Sequence, residues 1–162
     1  MDLSVVPLSR EAFAPFGAVI EEDAARAFAI NDGRTMRHHA LATLDVEGEA
    51  GISIFSGRPS DPPIEIAMME RHPRGSQAFV PLFERAWLAV VAHDEDGRPG
   101  KPQAFLATGR QGVQYGRNVW HHPLLVLKEE SDFLVVDRLE AENNLETSRY
   151  AEPYRITSLQ AS

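Results

Sequence analysis

The chain has 162 residues and no cysteine, with 43% hydrophobic and 25% charged residues, so one folded domain without disulfides or thiolate chemistry is expected over residues 1–162. Sixteen Lys and Arg against 24 Asp and Glu leave a formal net charge of -8, which argues against nucleic acid and membrane surfaces as partners but leaves a small anionic substrate open. The start, MDLSVVPLSREAF, lacks the character of a secretory signal, and no run approaches the roughly 20 apolar residues of a membrane span, so a cytoplasmic protein is expected.

Along the chain, Ser9 is placed to cap one or two helical turns over Arg10 to Ala14, closed by Gly17 before the extended run Ala18-Val19-Ile20. Asn31-Asp32-Gly33 marks a tight turn. Short β-type runs then dominate: Gly51 to Phe55, Ile64 to His72, Ala86 to Val91, Gln103 to Leu106, Leu124 to Leu127 and Phe133 to Val136, with a polar loop over Asp94 to Gly100. Brief strands at this spacing predict an antiparallel sandwich or barrel. From about residue 140 the chain turns polar and acidic, and a mostly irregular tail is expected, with Tyr154, Ile156 and Leu159 packing back on the body or a partner.

Strand alternation puts Ile64, Ile66, Met68, Glu70 and His72 on one side and Arg71 on the other, with the Cα atoms of Glu70 and His72 about 6–7 Å apart. If that side is internal, an acid and an imidazole converge on one ion or ligand. The alternative is a strand reaching the barrel mouth, with Glu70 paired to an arginine and His72 in solvent. A second polar cluster, Tyr115 to Pro123 (YGRNVWHHP), also enters an apolar run and favours a site. By the same alternation Trp120 faces away from His121, toward packing or a dimer contact; His122, before Pro123, supports the site at one remove. His38, His39 and His93 read as surface or fold residues.

The phrases ERHPRGSQAF (Glu70 to Phe79), QGVQYGRNVWHHPL (Gln111 to Leu124) and DFLVVDR (Asp132 to Arg138) resemble those of the ureidoglycolate lyases, once called ureidoglycolate hydrolases, of allantoin catabolism. LSREAFAPFGAVIE and the turn at Ile30 to Gly33 extend the resemblance over most of the chain to about Arg138. It implies a mostly β, cupin-like antiparallel barrel (jelly roll) with a few short helices, a homodimer, and elimination of urea from (S)-ureidoglycolate to give glyoxylate. Cupins hold a metal with His-x-His, a Glu five residues on and a further His; here Glu70, His72, Gln77 and His121 occupy those places. The resemblance implies a divalent cation, nickel being the suspected one, and no organic cofactor.

Eliminating urea needs a base for the hydroxyl proton, an acid for the departing nitrogen and a positive group for the carboxylate. Glu70 or His72 fits the base and His121 the acid; Arg117 and Arg138 fit the carboxylate. Ser76, Gln77 and Tyr115 suit the urea end, and Asn31 is a further candidate from its turn. Two other readings compete: another cupin enzyme, such as a metal-dependent dioxygenase or isomerase, and a non-catalytic module binding a small acid.

Overall fold

The computed structural model describes residues 1–160. It is 51% strand and 4% helix, in two curled sheets that form a half-barrel. The strands are β1 (Val5–Pro7), β2 (Gly17–Ile20), β3 (Ala27–Ile30), β4 (Thr35–His38), β5 (Ala50–Gly57), β6 (Ile64–Arg71), β7 (Gln77–Pro81) and β8 (Trp87–Ala92). They continue with β9 (Asp94–Glu95), β10 (Arg98–Pro99), β11 (Gln103–Ala107), β12 (Gly112–Tyr115), β13 (Trp120–His121), β14 (Ser131–Arg138) and β15 (Glu146–Ile156). One sheet runs β1-β11-β8-β13-β6-β15 and the other β2-β12-β7-β14-β5, while β3-β4 and β9-β10 are ribbons. Apart from the parallel pair β1 and β11, the named strand pairs are antiparallel.

The expected helix is a single turn, Arg10–Phe13, where the Ser9 hydroxyl accepts from the Ala12 N–H at 3.2 Å. Gly17 does more than end it. Its φ is +154°, and a Cβ there would lie 1.8 Å from the Gln114 carbonyl oxygen, so β2 approaches β12 only as glycine. The Asn31-Asp32-Gly33 turn joins β3 to β4, all three residues having positive φ.

Alternation divides the six-stranded sheet into two faces. Trp87, Ala89 and Val91 of β8 turn inward with Phe13, Phe79, Phe105 and Phe133, forming the core between the sheets. Leu88, Val90 and Ala92 turn outward to a second cluster with Ile64, Ile66, Met69, Trp120 and Ile156.

Three expectations are corrected. The run Leu124 to Leu127 is not a strand; Leu125 and Val126 make single bridges to Leu88 and Pro59, and the segment threads as buried coil between the two clusters. The tail is not mostly irregular: Glu146–Ile156 is an edge strand of 11 residues paired with β6. Its polar composition suits a strand with a solvent-facing side, and Pro153 falls where the pairing register shifts, between Arg149 and Tyr154. Finally, β6 does not keep one face throughout. Ile64, Ile66 and Met69 all pack in the outer cluster, so the strand changes side between Ile66 and Met69, opposite the extra residues of β15.

Candidate active site

After that change of side, β6 turns Arg71 outward, where its guanidinium lies 4.3 Å over the Trp120 ring and pairs with Asp94 and Glu146. Glu70 turns the other way, and the register sets it opposite His121 of β13. His72 follows, its ring centroid 5.1 Å from that of His121. Ligand atoms of Glu70, His72 and His121 all lie within 4.8 Å of one another.

The protons of this group are set by backbone carbonyls. His72 Nδ1 lies 2.7 Å from the Asn144 carbonyl oxygen and His121 Nδ1 lies 2.9 Å from that of Val119; a carbonyl only accepts, so each Nδ1 carries the hydrogen. Nε2 is then the lone-pair atom each ring has left. Both Nε2 atoms are buried without a hydrogen-bond partner among the described residues, and that of His121 faces Glu70 Oε1 at 3.7 Å. Three acceptors therefore converge with no donor between them.

Burial pushes the Glu70 carboxyl above its ordinary value, with the His72 charge pulling the other way. His121, 2% exposed, is held down to about 3, chiefly by burial and then by His72. It is a neutral imidazole at neutral pH, so its contact with Glu70 is not an ion pair. Burial likewise lowers His122, whose Nδ1–H donates to the Pro123 carbonyl. An acceptor set of one carboxyl and two imidazole Nε2 atoms fits a divalent cation of borderline softness.

The facing sheet closes the group. Tyr115 of β12 stacks on His121 with centroids 4.3 Å apart and planes 7° apart, and burial, then the Glu70 charge, raises its phenol. Gln77 lies opposite Tyr115 in the register, and its Nε2–H donates to Asp137 Oδ2 at 2.9 Å, leaving Oε1 buried without a partner.

The other expected residues are spent differently. Ser76 Oγ accepts the Asp45 N–H at 3.0 Å, and Asn31 is exposed, donating to Thr35 in its own turn. Buried Arg138 donates to the carbonyls of Glu47, Glu140 and Glu142 and pairs with the Glu140 carboxylate. Arg117 is less committed: its side chain is 33% exposed, it donates one hydrogen bond, to the Arg74 carbonyl at 3.3 Å, its contacts with Asp45 and Glu47 are 3.6 and 3.9 Å, and Nε has no hydrogen-bond partner among the described residues. Its segment adjoins the site, since the Asn118 N–H donates to the His72 carbonyl. His38 accepts the Asp23 N–H, and His93 lies against Phe16, so both serve the fold.

Two participants escape sequence reasoning. Asn144 sits in the stretch read as irregular, and only its backbone carbonyl meets His72, so no side-chain signal marks it. Its side chain fastens the same loop by accepting the Arg74 N–H at 2.8 Å. Asp137 is legible only as the inward-facing residue after Phe133 and Val135 on β14.

A β half-barrel with an acid and two imidazoles converging between its sheets defines the class. The family model for ureidoglycolate lyase matches residues 1–157, and the chain belongs to that family. Ureidoglycolate lyase 1 of Rhizobium meliloti (strain 1021) is 56% identical over 157 residues, covering 95% of this chain and 92% of the relative. Ureidoglycolate lyase of Brucella melitensis biotype 2 is 53% identical over 164 residues, covering 99% and 97%. Among solved structures, a 3,4-ketoisomerase from Helicobacter canadensis aligns at a TM-score of 0.47 and 16% identity, over 79% of this chain and 87% of that one.

Proposed function

We propose that the protein is a ureidoglycolate lyase, releasing urea from ureidoglycolate and leaving glyoxylate. Family membership supports the substrate; the observation that carries the chemistry is the convergence of Glu70, His72 and His121 as three acceptors without a donor. We further propose that these three hold a divalent cation, nickel being the first to test. When bound, such an ion would supply Lewis-acid polarisation of the substrate hydroxyl and carboxylate.

The chain's own groups balance the remaining step. Glu70 takes the hydroxyl proton as the carbonyl of glyoxylate forms and the carbon–nitrogen bond breaks. The carboxylic acid so formed returns that proton to the departing urea nitrogen, and no water is consumed. Because the Nε2 of His121 is a lone-pair atom, the ring suits holding or accepting better than the acid role expected from the sequence. Arg117, with donors to spare, is the better candidate for the substrate carboxylate; Arg138 is committed to backbone carbonyls.

Homodimerisation is the accompanying proposal. The outward row of edge strand β5 exposes Ile52 and Ile54 at 73% and 54%, an apolar face suited to a second copy. Among the described residues no helix is long and apolar enough to cross a membrane, and a cytoplasmic setting is the proposed one.

The test gives the pure protein ureidoglycolate and follows urea and glyoxylate, with and without chelator and added metals. Urea and glyoxylate forming together is expected. Urea at the spontaneous rate would sink the reading, and ammonia in its place would indicate an amidohydrolase. Oxygen uptake by protein carrying stoichiometric iron would favour a dioxygenase.

A further inference from the structure

On the inner face of the five-stranded sheet, one row of side chains leads away from the triad. Tyr115, its ring stacked on His121, stands opposite Gln77; Ala78 stands opposite Val136, so Asp137 lies beside Gln77, as their 2.9 Å hydrogen bond confirms. The polarity of the pair is fixed. A carboxylate only accepts, so the Gln77 amide must turn its N–H to Asp137, which leaves Oε1 as a bare acceptor on a side chain 6% exposed. Asp137 adds a half-buried carboxylate with no cation paired to it among the described residues.

Gln77 Oε1 without a donor, beside a carboxylate whose one side-chain donor is the Gln77 N–H, asks for a planar, uncharged group carrying N–H bonds. Both acceptors repel a carboxylate or a phosphate. Adjacent strands are about 4.8 Å apart, so these acceptors begin one strand beyond the ring that stacks on His121. A ureido acid spans roughly 5 Å from its carboxyl carbon to its terminal nitrogen, and roughly 6 Å from the far carboxylate oxygen, by standard bond lengths. With its acid end at the triad, its ureido group extends past Tyr115 toward this pair.

Resting on the lyase reading for the position of that acid end, we infer that Gln77 Oε1 and the Asp137 carboxylate receive the terminal NH2 of the carbamoyl group. Asp137 is then the residue that distinguishes a ureido acid from other acids of its shape. A site built from acceptors rejects an isostere lacking the matching donors, because its buried polar atoms are left unpaired.

The experiment compares two stable ligands, N-carbamoylglycine and N-acetylglycine, which differ only by NH2 against CH3. Their dissociation constants are measured by calorimetry on wild type, Asp137→Asn and Gln77→Met, with the metal content of each. Wild type is expected to prefer the carbamoyl compound by about tenfold or more. In Asp137→Asn a donor replaces an acceptor, and the preference should fall to about unity at unchanged metal content. Equal affinities in wild type, or an undiminished preference in Asp137→Asn, would overturn the inference. So would loss of metal from Gln77→Met, which would make Gln77 a ligand to the ion. If Asp137→Asn does not fold, the wild-type ratio and Gln77→Met still decide. A wild type that distinguishes the two ligands but releases no urea from ureidoglycolate would overturn the lyase reading alone.

Discussion

The two ends of the space between the sheets are built by the same strands and could hardly differ more. Toward one end β7 and β14 contribute Phe79 and Phe133, and the Phe133 ring meets those of Phe83 and Trp87 nearly edge-on, at 5.0 and 4.9 Å. Toward the other end the same two strands contribute Gln77 and Asp137, and buried polar atoms are left without partners. Among the described residues the aromatic end leaves only the Arg85 Nε–H, beside Phe83, without an acceptor, whereas the polar end leaves Gln77 Oε1, His72 Nε2 and His121 Nε2 as bare acceptors. The difference teaches a division of labour: one end carries stability, and the other gives some of it up for chemistry.

The comparison breaks if changes at the two ends act alike. Glu70→Gln keeps shape and removes the proton carrier, so urea release is expected to fall by about 10²–10⁴-fold. Its melting temperature should stay level or rise, since a half-buried charge is removed. Phe133→Ala should do the reverse. Losing a fully buried ring is expected to cost about 3–5 kcal/mol in denaturant unfolding, with kcat per folded molecule nearly kept. If Phe133→Ala abolished turnover at full folding, the division would fail.

A finer cut runs through the polar end itself. Arg138 holds the carbonyls of Glu140 and Glu142, and that loop delivers the Asn144 carbonyl to His72. Arg138→Met should therefore cost about 2–3 kcal/mol from lost charged hydrogen bonds. Asn144→Ala, which releases only the Arg74 N–H, should cost about 1 kcal/mol yet lower metal affinity or kcat by about 10-fold or more, as loss of support behind a ligand does. Carbon-13 shifts of His72 can report whether the Nδ1–H tautomer persists. An unchanged tautomer and unchanged kcat in Asn144→Ala would show the loop to be packing alone.

How much of this the sequence discloses depends on whether a residue acts through its side chain or its backbone. Glu70, His72 and His121 are legible because their types and spacing mark them, and they do meet. Glu70 does turn inward, but not by unbroken alternation from Ile64, which fails between Ile66 and Met69. That change of side depends on residues inserted in β15, a strand about eighty residues later in the chain, and no local pattern reports it. Asn144 is hidden for the same reason: a carbonyl has no signature in the sequence. The residue type of Arg138 suits the substrate carboxylate, but its loop consumes it. The aromatic end was easier to anticipate in kind, since alternating apolar residues need only find one another.

The smallest expected effect lies behind the site, where Asp94 accepts from the Trp120 indole at 2.8 Å, the Gly97 N–H at 3.1 Å and the Arg71 guanidinium at 2.8 Å. These donors, the indole first, hold its carboxyl below the ordinary 3.8. A carboxyl depressed in the folded state binds fewer protons than in the unfolded chain, so its contribution is fully present above the ordinary value and is lost as pH falls through and below it. Wild type and Asp94→Asn should therefore differ by a constant small margin in denaturant melts above about pH 5 and converge as pH falls below 4. Arg71 and Trp120 back the pair Glu70 and His121 from the outer face, so turnover at neutral pH should be unmoved by this substitution. A drop in kcat without a drop in stability would mean that the outer layer sets the geometry of the acceptors, and that support for the chemistry extends through the sheet rather than ending at its inner face.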